Sequence, residues 1–123
     1  MLRDTFFTLL SSEEAEKGRI YRIFLHPSHP VFQAHFAGHP IMPGACIVQI
    51  VKELAEDYFG RSLFTTTIRN TKFLRVINPL ESQAVSVKLV FTPNEEKRFT
   101  VTATLFEGEQ IFAKATLTCE ITE

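Results

Sequence analysis

At 123 residues, 45% hydrophobic and 22% charged, the chain has the size and composition of one ordered domain, 1–123, with a single core. A formal net charge of −1 with no basic block gives a nucleic-acid partner no footing. No run approaches the ~18 apolar residues of a spanning helix, and residues 1–12 lack the features of a signal peptide, so no membrane partner and a cytoplasmic location are expected.

Thr5–Leu10 and Arg19–Leu25 are apolar, β-prone runs. The charged stretch Ser12–Gly18 between them predicts a hairpin with a longish loop. From His26 to Gly44 the pattern changes. Pro27, Pro30, Pro40 and Pro43, with Gly38, Gly44 and all four histidines, predict a long structured loop, because proline blocks both helix and central strand. Ala45–Phe59 then reads as the one long helix. Ile47, Ile50, Val51, Leu54, Ala55 and Tyr58 recur at helical spacing, Gln49, Lys52, Glu53 and Glu56 form a polar stripe, and Gly60 is a natural stop.

Everything after Gly60 reads as strands. Apolar residues alternate through Val85–Phe91, Phe99–Leu105 and Ile111–Ile121, with breaks expected at Asn78-Pro79, Pro93-Asn94 and Glu107-Gly108. One helix among about six antiparallel strands is an α+β arrangement, and a helix apolar over most of its circumference predicts a sheet wrapped around it. Cys46 and Cys119, without partners at metal-ligand spacing, read as small buried hydrophobes. The 12 phenylalanines predict a Phe-rich core, or apolar surface left over for a subunit interface or an acyl tunnel.

The chemistry concentrates in the run from His29 to Gly44. It places histidines in an apolar-flanked loop just before a helix N-terminus at Gly44. Such a terminus offers unpaired N–H groups and partial positive charge to a carbonyl oxygen that is gaining negative charge. A histidine near it is suited to proton abstraction. General base plus oxyanion donor is what enolisation of a thioester requires.

His35-Phe36-Ala37-Gly38-His39-Pro40-Ile41-Met42-Pro43-Gly44 resembles the His-Phe-Pro-Gly-x-Pro-x-Met-Pro-Gly signature of the bacterial 3-hydroxyacyl-[acyl carrier protein] dehydratases. Lys72-Phe73-Leu74-Arg75 and the terminal Ala113-Lys114-Ala115 strand also resemble that family's segments. The resemblance implies a hot-dog fold and at least a dimer with sites at the interface. It implies an acyl thioester on acyl carrier protein or coenzyme A as substrate, and it calls for no cofactor or metal. Residue by residue it implies that His35 takes the α-proton and that the Gly44 N–H polarises the thioester carbonyl. Phe36, Gly38, Met42 and Pro43 are expected to contact substrate, and Arg69, Lys72 and Arg75 to dock an acidic carrier protein.

One position departs. The carboxylic acid that protonates the leaving hydroxyl in that family, fourteen residues after the histidine, is Gln49 here, which cannot supply a proton. Four residues on, where the family usually has glutamine, stands Glu53. Either Glu53 is a relocated acid with Gln49 orienting substrate, or Glu53 lies on the solvated stripe beside Lys52 and Glu56. His29 is expected to brace the loop, His26 to be a loop residue, and His39 to be structural or an alternative acid. Three activities remain open: a dehydratase, a non-catalytic acyl-binding subunit, and a hot-dog thioesterase.

Overall fold

The computed structural model describes residues 2–34 and 42–122. The described elements run β1 (Phe7–Ala15), β2 (Gly18–Leu25), α1 (Pro30–Ala34), α2 (Gly44–Phe59), β3 (Leu63–Phe73), β4 (Ala84–Glu95), β5 (Arg98–Glu107) and β6 (Gln110–Ile121). The strands form one antiparallel sheet in the order β1-β2-β4-β5-β6-β3, so β1 and β3 are its edges. This is the sheet-and-helix arrangement expected from the sequence.

The alternating runs point where their pattern says. Val85, Val87, Leu89 and Phe91 of β4, Phe99, Val101, Ala103 and Leu105 of β5, and Ala113, Ala115, Leu117 and Cys119 of β6 are all buried. They meet Ile47, Ile50, Val51, Leu54 and Ala55 of α2, and this contact is the core. At roughly 25 cal/mol per Å² of apolar surface removed from water, that double layer supplies most of the favourable folding free energy. Ile111 breaks the pattern. It is exposed while Phe112 is buried, because a bulge between Leu105 and Phe106 advances β6 by one residue. Cys119 is fully buried as expected, whereas Cys46 is only half-buried. Burial pushes both thiols up from their ordinary pKa, so neither is a ready nucleophile.

Three boundaries differ from the sequence-based expectation. The β1–β2 connection is not a long loop: β1 continues through Ser12, Glu13 and Glu14 to Ala15, which pairs with Gly18 across a two-residue turn. An edge strand solvated on both faces accepts charged residues that periodicity reads as loop. Gly18 is required there, because a Cβ would stand 1.8 Å from the Leu89 carbonyl oxygen. The 26–44 region contains the short helix α1, with Pro30 at the first helical position, where a missing N–H costs nothing. Finally, β4 runs through Pro93 to Glu95: Pro93 pairs with Phe99 beyond the end of the β2 ladder, where its missing N–H has no second strand to serve, and the register shift between Pro93 and Glu95 passes over Asn94.

Candidate active site

Helix α2 starts without a cap. Pro43 occupies the N-cap position in extended conformation (φ −65°, ψ 147°) and offers no side-chain acceptor. The N–H groups of Cys46 and Ile47 turn back to the Pro43 carbonyl at 3.0 and 3.4 Å. Among the described residues, those of Gly44 and Ala45 have no hydrogen-bond partner. Two uncapped N–H groups and the positive end of a 16-residue helix thus converge at Gly44.

Beside this helix start lies a cavity of about 370 Å³. Met42, Pro43, Gly44 and Ile47 form one wall, and the segment from Phe73 to Ile77 forms the other. Hydrogen bonds hold the two walls in place. The Met42 N–H donates to the Ile77 carbonyl at 2.9 Å, and the N–H groups of Leu74 and Arg75 donate to the Phe112 carbonyl, freed by the β6 bulge, at 2.8 and 3.1 Å. The Phe73 ring lies against Gly44, where a Cβ would approach its Cζ to 2.7 Å. Glycine therefore brings both an open N–H and the ring to the same point.

Met42, Pro43 and Gly44, all expected at the site, come together here. The far wall was not expected to line the cavity. Its signal was the run of large apolar residues Phe73, Leu74, Val76 and Ile77 around Arg75, which no strand periodicity explains. Phe73, Leu74 and Val76 are exposed. His35, Phe36, Gly38 and His39 lie outside the described residues.

The other two histidines are structural. The His29 Nδ1 accepts the Val31 N–H at 3.1 Å and so caps α1, with its ring edge-on to Phe6 at 5.2 Å. The His26 Nε2 is 2.7 Å from the Thr8 hydroxyl.

One of the two places expected of Glu53 is overturned. Far from lying on a solvated stripe, it is 4% exposed. Its carboxylate accepts three hydrogen bonds: from the Leu2 N–H (2.7 Å), from the Arg3 N–H (2.8 Å) and from the Gln49 side-chain Nε2 (2.8 Å). Every partner is a donor, so the arrangement complements a carboxylate and gives no support to a relocated acid. The tie clamps the N-terminal segment onto α2. An Arg3–Asp57 ion pair at 3.0 Å adds to it, as does buried Phe6, whose ring stacks on Phe32 of α1 at 4.8 Å.

At the other end of α2 a groove of about 520 Å³ is floored by Tyr58, Phe59, Phe91 and Phe99. It shares no residue with the cavity at Gly44.

Known proteins agree with this architecture. A 3-hydroxyacyl-[acyl-carrier-protein] dehydratase FabZ of Caldicellulosiruptor saccharolyticus is 26% identical over 118 residues, spanning 85% of this chain and 83% of that protein. The FabZ of Levilactobacillus brevis is 30% identical over 94 residues, spanning 71% and 62%. Among solved structures, the dehydratase heterocomplex ApeI:P from Xenorhabdus doucetiae superposes with a TM-score of 0.72 at 18% identity, covering 92% of this chain and 96% of that one. A hypothetical thioesterase of Streptococcus pneumoniae, solved with coenzyme A, superposes at 0.65 and 10% identity, covering 94% and 85%. These likenesses show the hot-dog fold, on which both chemistries occur. The family model for ApeI dehydratases matches residues 11–115, and the chain belongs to this ApeI-like dehydratase family.

Proposed function

We propose that the protein eliminates water from a 3-hydroxyacyl thioester to give the trans-2-enoyl thioester. The observation that carries this reading is the uncapped N–H of Gly44 at the wall of a largely apolar cavity, nine residues after His35. His35 takes the α-proton, and the electron pair moves onto the thioester oxygen. The N–H groups at the start of α2 stabilise that oxygen as its charge develops. The pair then returns to form the double bond as the β-carbon–oxygen bond breaks. Syn elimination removes both groups from one face of the substrate, so the histidine that holds the abstracted proton is on the side from which the hydroxyl leaves. It returns the proton there, water departs, and the base is regenerated. This sequence needs no carboxylic acid at position 49.

Substrate arrives on acyl carrier protein or coenzyme A, and exposed Arg69, Lys72 and Arg75 suit an acidic carrier. The working unit is a homodimer or higher oligomer joined through β3, an unpaired edge that exposes Phe64, Ile68 and Phe73. Sedimentation at micromolar concentration is expected to show a species larger than the 14.0 kDa chain. The decisive experiment incubates the protein with 3-hydroxyacyl-carrier substrate and follows enoyl absorbance, with turnover as the expected result.

A second reading, an acyl-binding subunit without turnover, is favoured by Gln49 itself. It predicts binding of the same thioester with no enoyl formed.

A further inference from the structure

Two hairpin turns share one uncommon arrangement. The β1–β2 and β4–β5 connections are two-residue turns, Glu16-Lys17 and Glu96-Lys97, each with one acid and one base. In each the lysine takes the left-handed conformation (φ 59° and 63°) that glycine or asparagine ordinarily fills. In each the lysine carbonyl is tied to a neighbouring strand, accepting the Phe91 N–H at 2.9 Å in one turn and the Ile121 N–H at 2.8 Å in the other. Phe91 and Ile121 both line the groove at the C-terminal end of α2, and so do both lysines, whereas Glu16 and Glu96 do not. Two separate turns thus hold a base in a disfavoured conformation at the same groove and leave the acid outside it. Glu95 is the one carboxylate on the groove's wall among the described residues, and it faces Arg98 at 3.7 Å. The Arg98 Nε also donates to Glu120 at 2.9 Å. The Lys17 ammonium has no partner among the described residues. An open positive charge therefore stands over an aromatic floor, in a groove of about 520 Å³, a size that suits a small molecule.

We propose that this groove binds a small aromatic carboxylate, with its ring on the ring cluster and its carboxylate at Lys17. The sign of the ligand follows from the rim, and its flat ring follows from the floor. There Tyr58 and Phe91 stack at 4.2 Å while Phe59 meets Phe91 edge-on at 5.1 Å. A further aromatic ring continues either packing, and a saturated ring continues neither. The site shares no residue with the cavity at Gly44, so its occupancy does not depend on the function proposed above.

The test titrates three probes by calorimetry: 2-naphthoate, the neutral 2-naphthalenemethanol and the saturated decahydro-2-naphthoate. Wild type is expected to bind naphthoate about two- to fivefold more tightly than the neutral probe, an advantage that fades at high salt. It is expected to prefer naphthoate to the saturated probe about two- to tenfold. Lys17→Gly keeps the fold, because its conformation is one that glycine favours, and is expected to bind naphthoate no better than the neutral probe. Tyr58→Ala, at a half-exposed ring, is expected to weaken both aromatic probes about tenfold. Naphthoate binding that is indifferent to Lys17→Gly or to Tyr58→Ala overturns the inference, as does a saturated probe that binds equally well. No binding by wild type at millimolar probe also overturns it. A smaller sedimenting species for Tyr58→Ala in that case would assign the groove to a second copy of the chain.

Discussion

The two ends of α2 are built on opposite rules. At its C-terminus the backbone is closed. Gly60 takes the left-handed conformation (φ 65°), its N–H reaches the Glu56 carbonyl at 2.8 Å, and the Arg61 N–H reaches the same oxygen at 3.3 Å. Around it the rings of Tyr58 and Phe91 lie 4.2 Å apart and those of Phe59 and Phe99 4.3 Å apart. At the N-terminus nothing closes the backbone: Pro43 provides no cap, and Gly44 and Ala45 keep their N–H groups without partners among the described residues. A helix end left open beside an apolar cavity forgoes about 1 kcal/mol of capping stability. The same open groups are what a developing oxyanion needs. One end closes the helix in the fold, and the other presents the open donors on which the proposed function rests.

The largest effect expected on this contrast is chemical. His35→Ala should lower turnover of a 3-hydroxyacyl thioester about 10²–10⁴-fold, with an unchanged thermal melt, as followed by enoyl absorbance. Turnover near the wild-type level would mean that the base has been misassigned and that the open helix end serves binding alone. At the closed end the prediction is inverted. Phe99 is 5% exposed within the ring cluster, and Phe99→Ala should cost about 3–5 kcal/mol in denaturant unfolding. The variant that remains folded should keep kcat/KM within about twofold. A parallel loss of activity would show that the two ends are mechanically coupled.

How far these features were visible in the sequence follows the same division. Helix α2 was legible because Ile47, Ile50, Val51, Leu54 and Ala55 meet a core at helical spacing and Gly60 ends it. The inner strands were legible because they bury one face. Edge strand β1 was half-hidden, since Ser12, Glu13 and Glu14 are exposed and carry no alternation. The candidate site was legible at Gly44 through its motif, as the open start of α2. Its second wall was not, because residues 73–77 reach it through a bulge carbonyl at Phe112 that no local pattern announces. Glu53 was the least legible residue. Its polar spacing placed it on a solvated stripe, yet two of its three partners are backbone N–H groups 50 and 51 residues away, and backbone donors have no sequence signature.

A smaller effect probes the open end. Gly44→Ala retains the N–H but sets a methyl 2.7 Å from the Phe73 ring. That ring is 56% exposed and is free to turn away, so overpacking should cost only about 1 kcal/mol, offset by the better helix propensity of alanine. Stability should hardly change, while the displaced ring reshapes the cavity wall and lowers kcat/KM about tenfold. Steady-state kinetics beside a thermal melt would separate the two. A stability loss without a kinetic one would place Phe73 outside the site.

The smallest effect belongs to the other glycine and has the opposite cause. A Cβ at Gly60 would meet nothing within 4 Å, so Gly60→Ala is free of collision and acts only through its backbone. A left-handed conformation disfavours alanine by about 1–2 kcal/mol, and a shift of about 1 kcal/mol is expected in denaturant unfolding. Asparagine tolerates that conformation better, so Gly60→Asn should lose less than Gly60→Ala although its side chain is larger. This order is the reverse of what crowding would give. Neither variant should alter kcat/KM, because the cap and the cavity lie at opposite ends of a 16-residue helix. If Gly60→Asn proved the more damaging of the two, the closed end would be held by packing around residue 60 rather than by its left-handed turn.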